Sequence, residues 1–454
     1  MISLKKRIAV VGMAVASSLA VTSVAHAETV TAGGATFPDT YLQSAIAEFN
    51  RTTGHTLTYN AQGSSNGQQN FAGADRNGGT YDMGGTDSAV SSSRIPNFGW
   101  TYVPYLAGAI AITYRLDELQ GAQLSLSPST SEAIFNGSIT NWNDPRIAND
   151  MRQNPTWRNS VRRSSVRGAS ALWQNSRTAG SAVVTVALTP AAVKANRGKK
   201  VEVVNMTTKR VIATKTVGRQ SEIALRIKTD EKAKHEVRVN GKRVASYQRV
   251  KTPTLPNKEI VVVYRDGSGT SANFSIYMKS LNTRWGTSND FGTNVPGGVS
   301  QFGSRFQRQD TSANQSNYVA DTNGSIGYSE TSFAYDASRQ AKGLRVVALQ
   351  NNFGQFIAPS AASYNAFLST ATVAANGFVT FNYAARKSGA YPIGAVTYML
   401  AKTANSAKST VVRQFLEWSM NTYAPKYAEG LGYVPLTGVM KAKGLEMAAK
   451  VSAG

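Results

Sequence analysis

The chain has no cysteine among its 454 residues, so no disulfide can staple it and no lipid can be attached through an N-terminal cysteine. Histidine is almost as scarce. Only His55 and His235 lie beyond the first 27 residues, which argues against a zinc or copper centre and against Cys-His or Ser-His catalysis. No G-x-x-x-x-G-K-[ST] loop occurs, so a common nucleotide-binding signature is missing. Carboxylates are outnumbered: 49 Lys and Arg face 26 Asp and Glu, a formal charge of +23. That balance suggests an anionic partner or a polycationic surface. These absences favour binding over catalysis, with no cofactor and no metal expected.

The single long apolar run stands at the N-terminus. Lys5, Lys6 and Arg7 precede "IAVVGMAVASSLAV", and "AHA" supplies small residues before Glu28, the pattern of a secretory signal over residues 1–27. The run is short for a membrane span, so the protein is expected to be exported and to be periplasmic or secreted. The roughly 427 residues that remain exceed what one core usually serves, so two or three domains are expected.

The charge is uneven. Residues 151–252 carry 23 Lys or Arg against 5 Asp or Glu, a net of +18, whereas the other 352 residues carry 26 against 21. The same segment contains "SAVVTVAL", "KKVEVVNM", "KRVIATKTV", "SEIALRIK" and "HEVRVNGKRVASYQRV", short β-branched runs with period-two alternation, and Asn240-Gly241 is a two-residue hairpin signal. It reads as an inserted all-β domain, a small sandwich or barrel. The preceding "RNSVRRSSVRGAS" reads as a solvated, flexible connector, or as a binder of phosphates in nucleic acid or lipopolysaccharide.

Elsewhere strands and helices alternate, the texture of an α/β chain. After "TVTAGGATFP", Pro38 suits a first helical turn, Tyr41, Leu42, Ala45, Ile46 and Phe49 share one face, and Gly54 ends the helix. "TLTYNAQG" and "VPYLAGAIAITYRL" read as strands, and "STSEAIFNG" and "VVRQFLEWSMN" as helices. Four junctions place glycine and hydroxyl residues at strand ends: "GGATF" (33–37), "QGSSNG" (62–67), "GGTDSA" (84–89) and "RDGSGTS" (265–271). Three precede a helix, whose N-terminus presents free N–H groups and a partial positive charge, so each is a ready anion site.

"TAGGATFPDTYLQSAIAEF", "YNAQGSSNG", "YDMGGTDSAV", "IFNGSITNWNDPRIA", "IVVVYRDGSGTSANF", "NGSIGYSE" and "YPIGAVTYML", in this order, resemble the periplasmic phosphate-binding proteins, the solute receptors of high-affinity phosphate ABC transporters. The resemblance covers about residues 29–150 and 253–440, and 151–252 has no counterpart in it. It implies a two-lobed Venus-flytrap fold with the anion between the lobes. One lobe would take residues 28–103 and 391–454, the other 104–150 and 253–390. It also implies phosphate contacts from Thr36, Phe37, Ser64, Asp87, Arg265, Ser268, Gly269 and Thr270. Asp87 matches the family's cleft aspartate, able to accept the proton that phosphate carries and sulfate lacks. The usual pattern has one residue between the arginine and the aspartate of the last loop, but here Arg265 abuts Asp266. This leaves the direction of Arg265 open and gives Asp266 a supporting role.

The expected function is capture of inorganic phosphate and its delivery, by a monomer, to an ABC permease in the inner membrane. The alternative is an extracellular adhesion or matrix-interaction protein acting through the basic β-domain on an anionic polymer or cell surface. A phosphate-ester hydrolase ranks below both, because no metal-ligand set or activated nucleophile is visible.

Overall fold

The computed structural model describes residues 27–453 apart from 177 and 179. The expected signal segment lies, but for its last residue, outside the described residues. Strand β1 (Thr29–Gly34) leads into helix α1 (Asp39–Thr53). Tyr41, Leu42, Ala45, Ile46 and Phe49 form its buried stripe, and Gly54 closes it at φ 76°, its N–H donating to the Asn50 carbonyl, as a left-handed cap requires. Strand β2 (Thr56–Ala61), helix α2 (Ser64–Ala72) and strand β3 (Met83–Thr86) follow. Both β2 and β3 pair with β1 in parallel. Strand β4 (Trp100–Arg115) is 16 residues long and almost wholly buried. Helices α3 (Pro128–Phe135) and α4 (Pro145–Gln153) come next, each opened by a proline behind a capping Ser127 or Asp144.

The insert then builds two antiparallel sheets from β5 (Trp157–Asn159), β6 (Ala169–Asn175), β7 (Ser181–Leu188), β8 (Lys200–Asn205), β9 (Arg210–Thr216), β10 (Glu222–Lys228), β11 (His235–Val239) and β12 (Lys242–Arg249). The strand orders are β9-β8-β11-β12-β5 and β10-β7-β6. Ile223, Leu225 and Ile227 of β10 and Ala182, Val184 and Val186 of β7 are buried at alternate positions. They meet Val201, Val203, Val237 and Val239 in a hydrophobic cluster separate from that of the host. Two sheets thus bury the apolar alternate positions against each other, as period-two patterning leads one to expect. Asn240 and Gly241, at φ 50° and 72°, turn the β11–β12 hairpin. The arginine-rich stretch is not a free connector. It contributes β5, paired with β12, and then follows β12 through the Ser160 N–H to the Ser246 carbonyl and the Ser165 N–H to the Arg243 carbonyl, both 2.9 Å. Backbone donors beside an exposed sheet edge add to its ladder. Entry and exit meet where the Val250 N–H donates to the Thr156 carbonyl at 2.8 Å.

Beyond the insert come β13 (Val261–Tyr264), α5 (Gly269–Leu281), β14 (Phe306–Arg308), α6 (Ser312–Asp321), β15 (Ser325–Glu330), β16 (Gly394–Lys402) and α7 (Ala407–Trp418). The host sheet runs β14-β13-β15-β4-β16-β3-β1-β2. Strand β4 serves both halves. Its residues 100–109 pair with β16 and its residues 110–115 with β15, so the ladder changes partner between Ala109 and Ile110. The result is a mixed α/β, two-lobed architecture whose insert is not all-β as expected: a short helix, Pro190–Asn196, capped by Thr189, joins two of its strands and packs Ala192 and Val193 into its core. Among the described residues, no helix is long and apolar enough to cross a membrane.

Candidate binding cleft

The four glycine-hydroxyl junctions converge. The Gly34 carbonyl accepts from the N–H groups of Gln62 and Gly63 at 2.8 and 2.7 Å, the Gly85 carbonyl from Ala35 at 2.9 Å, and the Gly267 carbonyl from Ser65 at 3.1 Å. The last of these joins α2 to the loop before α5, and the bonds from Asn273 Nδ2 to the Asp87 carbonyl, 2.6 Å, and from Asn289 Nδ2 to Ser65 Oγ, 3.1 Å, likewise join residues 186 and 224 positions apart. Approach is so close at Gly269 that a Cβ there would lie 2.3 Å from Ser64 Oγ and 2.8 Å from Asp87 Cβ. Only glycine permits it.

Asp87 is 3% exposed. Its Oδ2 accepts from Ser64 Oγ at 3.4 Å, and Ser64 Oγ in turn accepts from the Asp87 N–H at 3.1 Å. Its Oδ1 is buried without a partner. Burial pushes this carboxyl up to about 7, with repulsion from Glu330 adding to the rise and the hydroxyls of Thr397 and Ser64 and the Arg265 guanidinium opposing it.

The abutting pair at the end of β13 resolves simply. On an extended backbone neighbouring side chains face opposite ways. Arg265, 1% exposed, turns inward and donates from Nη1 to Ser312 Oγ at 2.7 Å. Asp266 turns away, accepting from the Gly292 N–H at 2.9 Å and lying 3.4 Å from Arg308 Nε. Asp266 therefore does not orient Arg265. The counter-charge beside that guanidinium is Glu330, at the end of β15, whose Oε1 accepts from Thr270 Oγ1 at 2.7 Å and from Ser312 Oγ at 2.9 Å. Glu330 Oε2 and Arg265 Nε are both buried without partners.

Ser312 links the set. Its one proton goes to Glu330, so its remaining capacity accepts from Arg265 and from Thr36 Oγ1, 3.0 Å away. Ser268 caps α5 by accepting from the Ser271 N–H at 3.3 Å, and the first-turn N–H groups of α5 and α2 have no partners within their own helices. Phe37 departs from the group. Its ring is buried against Tyr433 at 5.8 Å, and its carbonyl accepts from Tyr433 Oη at 2.7 Å. Only its N–H can face the cleft. A cavity of about 750 Å3, with Gln68, Arg94, Asn273, Tyr383 and Tyr398 in its walls, includes Asp87.

The fold thus gathers Thr36, Ser64, Asp87, Arg265, Ser268, Gly269 and Thr270, and adds Ser312, Glu330 and Asn273, which sequence reasoning missed. Glu330 closes the quoted run "NGSIGYSE", so an acid at a strand end was available as a signal. Ser312 offered none. Among the described residues, no group of three or more His, Asp or Glu is placed to hold a metal. The arrangement suits an oxyanion that brings its own proton, because two buried carboxylates face a single guanidinium and each keeps an unfilled acceptor.

A model described as "PBP superfamily domain" matches residues 20–237 and 239–422. The phosphate-binding protein PstS of Xylella fastidiosa is 24% identical over 413 residues, 90% of this chain and 81% of that protein. The phosphate-binding protein PstS of Haemophilus influenzae is 24% identical over 418 residues, 91% of this chain and 90% of that one. Among solved structures, the high affinity periplasmic phosphate-binding protein PfluDING, bound with phosphate, shares the fold at a TM-score of 0.54 and 18% identity, over 91% of this chain and 92% of its own. With its two-lobed fold and a match that spans most of its length, the chain belongs to the PBP superfamily.

Proposed function

We propose that the protein is an exported receptor that captures inorganic phosphate between its lobes and delivers it to an ABC-type permease in the inner membrane. In this reading residues 1–27 are the export signal and the periplasm is the working compartment. Residues 28–103 with 391–454 form one lobe, and 104–150 with 253–390 the other. The protein acts as a monomeric binder rather than an enzyme. Ser268 offers a free hydroxyl proton, Thr36, Ser64 and Thr270 offer theirs by turning from Ser312, Asp87 and Glu330, Phe37 and Gly269 give backbone N–H groups, and Arg265 a charge-assisted bond.

The observation that carries the reading is the buried, unpartnered Oδ1 of Asp87. Leaving such an acceptor unfilled costs about 1–3 kcal/mol, more when it is charged. HPO4 or H2PO4 can fill it with an O–H donor. Fully ionised sulfate cannot, and above about pH 7, where Asp87 is itself ionised and where the comparison is made, it would set two acceptors face to face. The sequences named phosphate-binding protein support the same ligand. Titration calorimetry of the whole chain with each anion is the test. Phosphate should bind about a hundredfold or more tighter than sulfate, a gap of about 2.8 kcal/mol, and equal affinities would refute the proposal.

A further inference from the structure

We infer that the groove between the basic insert and the host lobe is a second anion site, suited to an acidic polysaccharide. A cavity of about 700 Å3 lies there, and its walls carry Arg152 from the end of α4, Lys232 from the β10–β11 loop, Arg249 from β12 and Lys251 from the linker that follows. Glu231 is the one carboxylate lining it, and it is paired with Arg249. Among the described residues, Arg152, Lys232 and Lys251 belong to no ion pair. Arg249 Nε is buried without an acceptor. Cations that face a concave wall without counter-charges focus positive potential there.

The groove continues. A neighbouring cavity of about 650 Å3 shares Arg152 and adds Arg146. Its one lining carboxylate, Asp150, accepts from the Ser127 N–H at 2.7 Å, and Arg146 is paired with Asp144 at 2.8 Å. The unpaired cations among the described residues are thus Arg152, Lys232 and Lys251, contributed by three separate segments of the groove wall rather than by one element, which fits a chain with repeated charges. The same walls present the amide of Asn143 and the hydroxyls of Thr252 and Thr254, partners for sugar hydroxyls. No aromatic side chain lines either cavity, so nucleobases would have nothing to stack on. Strand β13 carries the chain from this groove to Arg265, ten residues beyond Leu255, and the groove shares no lining residue with the cavity that includes Asp87.

The probe is a size-fractionated oligouronate, titrated into the whole chain over a range of salt. Binding is expected, weakening steeply as salt rises. Charge reversal by Arg152→Glu, Lys232→Glu and Lys251→Glu together should weaken it at least about tenfold, while the phosphate Kd and the melting temperature stay unchanged. Reversal of Arg226 and Lys228, exposed on β10 away from the groove, should have little effect. If the triple reversal disturbs folding, Arg152→Gln with Lys251→Gln gives the same reading at lower charge cost. No oligouronate binding, full affinity in the groove variants, equal loss in the β10 variant, or equal affinity for double-stranded DNA would each overturn the assignment.

Discussion

A carboxyl that is 3% exposed, beside a second buried carboxylate and a single arginine, gives the cleft a measurable proton. Asp87 near 7 stands well above the ~3.9 of an unfolded chain, so the folded protein holds that proton more tightly than the unfolded one does. Its contribution is complete below about pH 4 and is lost as pH rises through about 7, with linkage giving roughly 3 kcal/mol between pH 4.5 and 7.5. Urea unfolding of the ligand-free protein at those two pH values should show this loss, and Asp87→Asn should remove it. The same slope in both proteins would refute the assignment. Asp87→Asn should also weaken phosphate by about 1.5–3 kcal/mol, the range of a hydrogen bond to a charged group. Because the new amide can donate, calorimetry should find sulfate unchanged or tighter. Glu330 acts differently. It holds Thr270 and Ser312 through Oε1, so Glu330→Ala, which removes that acceptor, should lower phosphate affinity by releasing the two side chains, again read by calorimetry.

Among the elements, helix α5 has two duties at one residue. Ser268 caps it, and under the proposed function the same hydroxyl also meets the anion. Substitution can separate these roles, since alanine at an N-cap costs about 1 kcal/mol and glycine only a few tenths. Ser268→Ala and Ser268→Gly should therefore differ in thermal stability yet lose phosphate affinity alike. If glycine restored binding as well, the hydroxyl would be a cap and nothing more. Element-scale features were also the most legible in the sequence. The stripe of α1, its closing Gly54 and the alternating runs of β7 and β10 depend on residues a few positions apart, so local periodicity reveals them. Ser312 and Glu330 sit 47 and 65 residues beyond Arg265, and reach the cleft only because β15 pairs with both β13 and β4. No local pattern encodes that meeting. The inward turn of Arg265 was hidden for a related reason. It follows from where the β13 ladder stops, with Tyr264 opposite Arg308 as the last pair, and register is a property of two strands.

For the molecule as a whole, the insert has its own core and meets the host mainly at its two ends, where the Gln123 N–H donates to Thr156 Oγ1 and Asn154 Nδ2 to Ser125 Oγ, both at 2.8 Å. Replacing residues 157–249 with a short Gly-Ser bridge should leave the phosphate Kd within about twofold, since sites that share no partners add independently. Scanning calorimetry of the whole chain should show two transitions, of which the bridged protein keeps one. Small-angle scattering should find the ligand-free protein contracting on phosphate addition, as lobe closure requires.

The meeting of Thr156 with Val250 also bears on the order of events during synthesis. Strand β13 must pair with β15, which joins β4, a partner laid down before the insert is made. Closing the intervening chain as a disordered loop, rather than as a turn of a few residues, would cost about 3 kcal/mol more. Once the sandwich has folded, its ends already lie side by side and that cost falls away. The host lobe is then expected to complete itself only after the insert has formed, so a slow-folding insert would delay the phosphate cleft without touching it.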